Sequence, residues 1–243
     1  MPAAAFQRVV LKLSGESLAG GGGQGYDFEQ AGRLARELAD LAALGCQIVL
    51  VIGGGNLLRG RQAKAAGLPA AEADRLGMLA TVMNALGLSS LLERAGAPAR
   101  VLTATPMPAF AESWSARRAR ELLAAGEFVI AAGGTGQPFF TTDTCAALRA
   151  IEIEAELLIK ATTVDGVYAA DPKRDPGAER FPWLDYDEVL RRRLQVMDAT
   201  AFALCREHSL PIRIFDYREP GAMKRILQGE DLGSLVSKED PHA

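Results

Sequence analysis

The feature that most restricts the fold is an apolar run that ends in glycine. Cys46–Ile52 (CQIVLVI) leads straight into Gly53-Gly54-Gly55. A nearly continuous run of strand-forming residues fits a strand covered on both faces, the pattern of a parallel sheet. Similar strand signals recur at Arg8–Leu13, Arg100–Thr103, Glu127–Ala132, Leu157–Ala161 and Ile212–Asp216, with GSLV closing the sheet. Helical periodicity fills the gaps. Asp27–Leu44 carries Phe28, Ala31, Leu34, Leu38 and Leu41 on one face, with Asp27 as cap and Gly45 as stop. Further helices are predicted over Glu72–Ala95, Ser115–Ala125 and Thr142–Ile151, in two short segments capped by Asp185 and Asp198, and from Pro220 to Gln228. The stretch DGVYAADPKRDPG reads as a hairpin or structured loop. This alternation predicts a doubly wound α/β fold: a single domain over 1–243, core about 8–236, with a mainly parallel sheet between helices.

Charge and composition exclude several classes of function. With 27 basic and 30 acidic side chains, the net charge of −3 offers no nucleic-acid surface and no polybasic membrane patch. Arg8 and Lys12 interrupt any apolar segment near the start, so no signal peptide is expected. No uninterrupted apolar run approaches the ~18 residues of a membrane span. Cys46, Cys145 and Cys205 are too scattered for a disulfide framework or zinc site. A cytoplasmic protein is the expectation.

Four glycine-rich or polar segments follow predicted strands: Ser14-Gly15, Gly53–Gly55, Gly133–Gly136 and Ala161–Gly166. An open α/β sheet places its ligand crevice at those strand ends. Any one glycine turn has a structural explanation; several at one sheet edge point to a shared site. Each glycine forgoes about 0.5–1 kcal/mol of order relative to alanine. Turns that lead into helices present free N–H groups to an anion. Lys12, Arg59, Arg61 and Lys160 lie beside them, and Lys12 and Lys160 interrupt apolar runs where each needs a counter-charge, which a phosphate would supply. The P-loop pattern is absent. Gly20, Gly22 and Gly25 match G-x-G-x-x-G cheaply, inside a glycine run away from a strand. His208 and His242 form no triad and no metal cluster.

Taken together, KLSGES (12–17), VIGGGNLLRG (51–60), DRLGMLATVMNALG (74–87), the stretch from GGTGQPFFTTDT to VYAADP (133–172) and LQVMDATAFALCREHSLPIRIF (194–215) resemble the bacterial uridylate (UMP) kinases of the amino-acid kinase fold. The resemblance runs from about Arg8 to Val236, and GTGQPFFTTDT is its most specific piece. It implies ATP- and Mg²⁺-dependent conversion of UMP to UDP by direct in-line transfer. Such transfer needs positioning and charge neutralisation, and an ionised phosphate acceptor needs no general base.

By that resemblance Lys12 contacts the transferring phosphoryl group, with Leu13, Ser14 and Gly15 beside it. Gly54 and Gly55 let the backbone approach phosphate, and Arg59 clamps it. Thr162, Tyr168 and Asp171 fall at ATP positions, although Asp171-Pro172 alone reads as a turn. Gly54, Asp74 and the run Thr135, Gly136, Gln137, Pro138, Phe139, Phe140, Thr141 and Thr142 fall at UMP positions, Asp74 on the ribose. Asp143 either orients Lys12 or a magnesium-bound water, or is a plain acid in a first helical turn. Asp198 is either a helix cap or a second organising acid. No protein metal site is implied, the ion riding on the nucleotide phosphates. Gln137 stands where the family usually has Asn. Gly20, Gly21, Gly22, Gly23, Gln24 and Gly25 fall where many relatives respond to GTP, with UTP as inhibitor, and otherwise form a surface turn. The apolar helix Leu76–Leu92 fits the family's homohexamer as well as it fits a core. The alternatives are a nucleotide sensor or store, and a kinase for another small phosphate or carboxylate.

Overall fold

The computed structural model describes residues 3–170, 174–175, 177–194 and 196–240, with the backbone alone at Arg61. Its centre is β1 (Arg8–Leu13), flanked by β2 (Gln47–Ile52) and β6 (Leu157–Thr162). Outside β2 lie β5 (Phe128–Ala132), β3 (Ala99–Thr103) and the short β4 (Glu112–Ser113); outside β6 lie β10 (Ile212–Asp216), β11 (Ser234–Val236) and β9 (Trp183–Leu184). All neighbours in this nine-stranded sheet run parallel except β10 and β11. A separate antiparallel ribbon pairs β7 (Val167–Tyr168), within the Asp-rich segment, with β8 (Arg180–Phe181), beyond it. Asp171 lies outside the described residues.

The chain fills one side of β1 first and crosses to the other at β6. The C-terminal ends of these central strands therefore border the crevice of a topological switch point. Both faces are covered, as the apolar strands require. Val9, Leu11 and Leu13 pack with α1 (Phe28–Ala42), α3 (Ala70–Arg94) and α8 (Ala222–Leu227). Val10 faces the opposite layer, formed by α4 (Ala116–Ala124), α5 (Thr142–Glu152), α6 (Tyr186–Arg192) and α7 (Ala199–Glu207). Strand alternation puts Lys12 on this second face, at the rim of the core.

Local chemistry starts the helices. The side chains of Asp27, Ser115, Thr141, Asp185 and Asp198 each accept a hydrogen bond from a first-turn N–H of the helix that follows.

Two expectations are corrected. Phe28 is not on the buried face of α1 but 74% exposed, because it stands at the first helical position and meets the Tyr26 ring at a tilt instead. Pro220 does not open α8: Gly221, at φ 74°, turns the chain and caps it. A short helix α2 (Gly60–Ala65), too brief to show a period, stands where the sequence carries no assignment. In addition α3, with mean hydropathy 1.3 over an 18-residue window, is long and apolar enough by composition to cross a membrane, yet 44% of that window is buried here. Its inner face packs on the sheet.

Candidate active site

The register of the sheet brings two lysines side by side. Lys12 of β1 is the direct partner of Lys160 on β6. Neighbouring residues in register point the same way, so two ammonium groups emerge together on the α5 face, which unaided is repulsive. Asp143, in the first turn of α5, lies between them. Its Oδ2 accepts a hydrogen bond of 2.6 Å from Lys160 Nζ, and its Oδ1 lies 2.9 Å from Lys12 Nζ without an aligned hydrogen bond. Lys160 also donates to the carbonyl of Val196. All three side chains are only 11–13% exposed.

Within the chain, the counter-charge beside both lysines is Asp143, which also sits in the first turn of α5. Burial pushes its pKa up, but Lys12 and then Lys160 outweigh that and hold it below the ordinary 3.8. Burial lowers the pKa of Lys160, against the pull of Asp143, with the Lys12 charge adding to the depression. Two cations on one carboxylate leave a net positive centre, suited to an incoming phosphoryl group. Lys160 was visible in the run LLIKAT but not counted among the catalytic candidates.

The glycine turns build the rest of the rim. The N–H of Gly53 donates to the Leu13 carbonyl, tying the end of β2 to that of β1, while the Leu13 side chain is in the core. A Cβ on Gly15 would fall 2.5 Å from the Gly53 carbonyl oxygen and 2.3 Å from Asn56 Oδ1. One on Gly54 would meet the Gly77 carbonyl oxygen at 2.7 Å and Ala80 Cβ at 2.8 Å. Two of the glycines thus serve close packing of turn on turn and turn on helix. Gly55 differs: nothing lies within 4 Å of its missing Cβ, and its backbone faces open space. Gly54→Ala is expected to destabilise the fold by about 1–3 kcal/mol in urea unfolding, and Gly55→Ala to leave it nearly unchanged.

Asn56 and Asn84, both buried, hold the same turn. Asn84 Nδ2 donates to the Gly53 carbonyl and to Asn56 Oδ1, and Asn56 Nδ2 donates back to Asn84 Oδ1 and on to the Gly25 carbonyl. The glycine loop 20–25 is therefore fastened at its Gly25 end, whereas Gly21, Gly22 and Gly23 have no neighbour within 4 Å of an added Cβ. Neither asparagine was a candidate from sequence, since a buried polar pair carries no local signal.

Two cavities meet at the start of α5. One of about 220 Å³ is bounded by Gly54, Gly55, Arg59, Asp74, Thr141 and Thr142 among others. The second, of about 560 Å³, opens on Lys12, Asp143 and Asp198 and is otherwise lined chiefly by apolar residues of α6, α7 and their connection. In the smaller cavity Asp74 accepts from the Phe139 N–H at 2.9 Å and pairs with Lys64 at 3.1 Å. Desolvation opposes ionisation there, but the Phe139 N–H and Lys64 prevail and lower its pKa. Phe139 itself is held at φ 72°, unusual for a bulky residue, and is 73% exposed at the cavity mouth beside Phe140. Pro138 precedes it. Thr135, Gly136 and Gln137 form a tight turn in which Thr135 Oγ1 accepts from the Gln137 N–H. Arg59 begins α2 and pairs with Glu16.

Asp198 combines both readings offered for it. It caps α7 through the Ala201 N–H and accepts from the hydroxyls of Thr141 and Thr144 at the start of α5. It thereby fixes the end of α5 that carries Asp143. On the far side, Ser14 caps the turn Gly15–Leu18, the Thr162 carbonyl accepts from Tyr217 N–H, and Tyr168 donates its hydroxyl to Asp165.

Comparison with known proteins follows the same lines. Residues 7–216 match the model of the amino acid kinase family. The solved structure of UMP kinase from Bacillus anthracis is similar at a TM-score of 0.93 and 39% identity, over 97% of each chain. That of UMP kinase from Ureaplasma parvum is similar at 0.89 and 34%, over 96% of this chain and 99% of its own. Uridylate kinase from Archaeoglobus fulgidus superposes less closely, at 0.73 and 29%, over 94% and 99%. With the glycine-rimmed crevice and its paired lysines, these matches show that the chain belongs to the amino acid kinase family, in its UMP kinase branch.

Proposed function

We infer that the protein transfers the γ-phosphoryl group of ATP to a phosphate oxygen of UMP, giving UDP and ADP. The observation that carries this reading is the Lys12–Asp143–Lys160 centre, set beside a cavity that holds Asp74 and Arg59, on a chain so similar to UMP kinases along its length. That similarity disfavours a sensor, or a kinase for another acceptor. The chain acts as one kinase domain with its core at about 8–236.

Each residue has a stated task. Lys12 and Lys160 neutralise charge on the phosphoryl group in flight, and Asp143 holds both ammonium groups at its path. The backbone of Ser14, Gly15 and Gly55 leaves room for phosphate oxygens, and Arg59 clamps them. Asp198 orients Asp143 through the threonines of α5. Asp74 takes the ribose hydroxyls, and the turn from Thr135 to Thr142 surrounds the uracil and phosphate. Thr162, Tyr168 and Asp171 border the donor nucleoside. Mg²⁺ bound to ATP supplies further charge neutralisation on the transferring phosphates. Among the described residues no three acidic, histidine or cysteine side chains are grouped to hold a metal. Asp143 Oδ1, already 2.9 Å from Lys12 Nζ, keeps a further lone pair that a magnesium-bound water would use.

A homohexamer, GTP activation through loop 20–25, UTP inhibition and a cytoplasmic location belong to the same proposal. The outer face of α3 supports self-association, since Leu76, Leu79 and Met83 are large, apolar and exposed at helical spacing.

The direct test is ADP release from Mg²⁺-ATP in the presence of UMP, CMP, dTMP, AMP or GMP. Turnover confined to UMP supports the reading; none with UMP sinks it. In titration calorimetry, Asp74→Asn is expected to weaken UMP binding about tenfold or more, as loss of a charged hydrogen bond does, and to leave ATP binding unaltered. Equal weakening of both would remove Asp74 from the acceptor pocket.

A further inference from the structure

Arg59 stands in this site already paired. Its Nη2 lies 2.6 Å from Glu16 Oε1, across 43 residues of sequence. Glu16 belongs to the single turn after Ser14-Gly15, at the end of β1; Arg59 closes the segment after the triple glycine, at the end of β2. The pair thus spans the two glycine turns that frame the crevice.

Three observations separate this pair from an incidental surface bridge. The Glu16 carboxylate has no other hydrogen-bond or ion-pair partner among the described residues. Both side chains are near half exposure, 42% for Glu16 and 47% for Arg59, and pairs so exposed add little to folding. Arg59 also lines the smaller cavity with Gly54, Gly55 and Asp74, and Glu16 engages only one edge of its guanidinium. The remaining donors of that planar fork stay free for oxygen atoms. A long, flexible arginine without a tether samples many rotamers; a tether at one nitrogen restricts the others.

We propose that Glu16 is a positioning residue for the reaction: by holding one edge of Arg59 it aims the rest of the guanidinium at the phosphate in the cavity. The proposal rests on the reading of Arg59 as a phosphate clamp. Glu16 itself touches no substrate, and it acts only through Arg59.

The test is a double-mutant cycle on the full chain, with UMP-dependent ADP release and thermal unfolding as readouts. Glu16→Ala is expected to lower kcat/KM about tenfold and to leave the melting temperature within a degree or two. Glu16→Gln keeps an oxygen acceptor at the same reach and is expected to recover most of that loss. In an Arg59→Ala background, Glu16→Ala is expected to change nothing further, because the group it positions is gone. Full activity of Glu16→Ala overturns the proposal, as does a loss in the double variant equal to the product of the two single losses. A Glu16→Gln variant as impaired as Glu16→Ala also overturns it, since charge rather than placement would then matter. Wild type is the internal control: absence of UMP-dependent turnover there strikes the kinase reading itself, and the proposal with it.

Discussion

Replacing Asp143 with asparagine is expected to damage stability and turnover together. Lys12 and Lys160 share this one carboxylate in a nearly buried setting. Removing one member of a buried ionic set costs about 3–5 kcal/mol, because the remaining charges stay desolvated without compensation. Here two like charges remain, on adjacent strands in register. Urea unfolding measures the first effect. A second replacement, Lys160→Met, should return part of the lost stability by removing one stranded charge, and a variant that gains nothing from it would contradict the shared-carboxylate account. Turnover is expected to fall about 100- to 1000-fold, the usual scale for losing preorganised electrostatics.

The pH dependence has a defined sign. The pKa of Asp143 lies below its ordinary 3.8 in the folded protein, so the unfolded chain binds its proton first. Its stabilisation is therefore fully present above about pH 3.8 and disappears as pH falls through the lower folded value. On acidification the stability gap between wild type and Asp143→Asn should narrow only in that window; on the alkaline side it narrows as the stranded Lys160, whose pKa burial already lowers, loses its proton. A gap that begins to close on acidification well above about pH 3.8 would mean that another group is responsible.

Lys12→Ala is expected to be the more selective lesion. Asp143 keeps Lys160 as its partner, so the loss of folding stability should be smaller than for Asp143→Asn. The kinetic loss should be large, about 1000-fold in kcat with the KM for UMP within a few-fold, because the ammonium matters most as charge shifts during transfer. Lys12→Arg should recover little, since a planar guanidinium does not reproduce a point charge fitted against Asp143. Steady-state kinetics against UMP, together with single-turnover measurements, decide the matter. An unchanged kcat removes Lys12 from the chemistry.

Much of the architecture was legible one segment at a time. Apolar runs such as Cys46–Ile52 can only be covered strands, and Asp27, Ser115, Asp185 and Asp198 are helix starts by their own side-chain chemistry. The errors fell where local signals are weak: a first-turn phenylalanine free to leave its face, a six-residue helix and strands of two residues. At the site, lysines inside apolar runs and glycines after strands marked the crevice, and the family resemblance supplied roles. What they lacked were partners. Lys64 for Asp74, Glu16 for Arg59, and Asn84 for the glycine turn are ordinary polar residues at unremarkable positions.

The sequence by itself determined most of the strands and helices and which strand ends carry glycine turns, because periodicity, caps and glycine act within a few residues. Only the tertiary structure decided what those ends do. The register of β1 against β6 sets Lys12 beside Lys160; the packing of α5 against α7 places Asp143 between them, with Asp198 holding α5 through Thr141 and Thr144. The same packing shows Gly54 to be a concession to α3 and Gly55 the glycine that faces open space. Charge pairing and steric exclusion act between surfaces brought together by folding, across separations that no local pattern records.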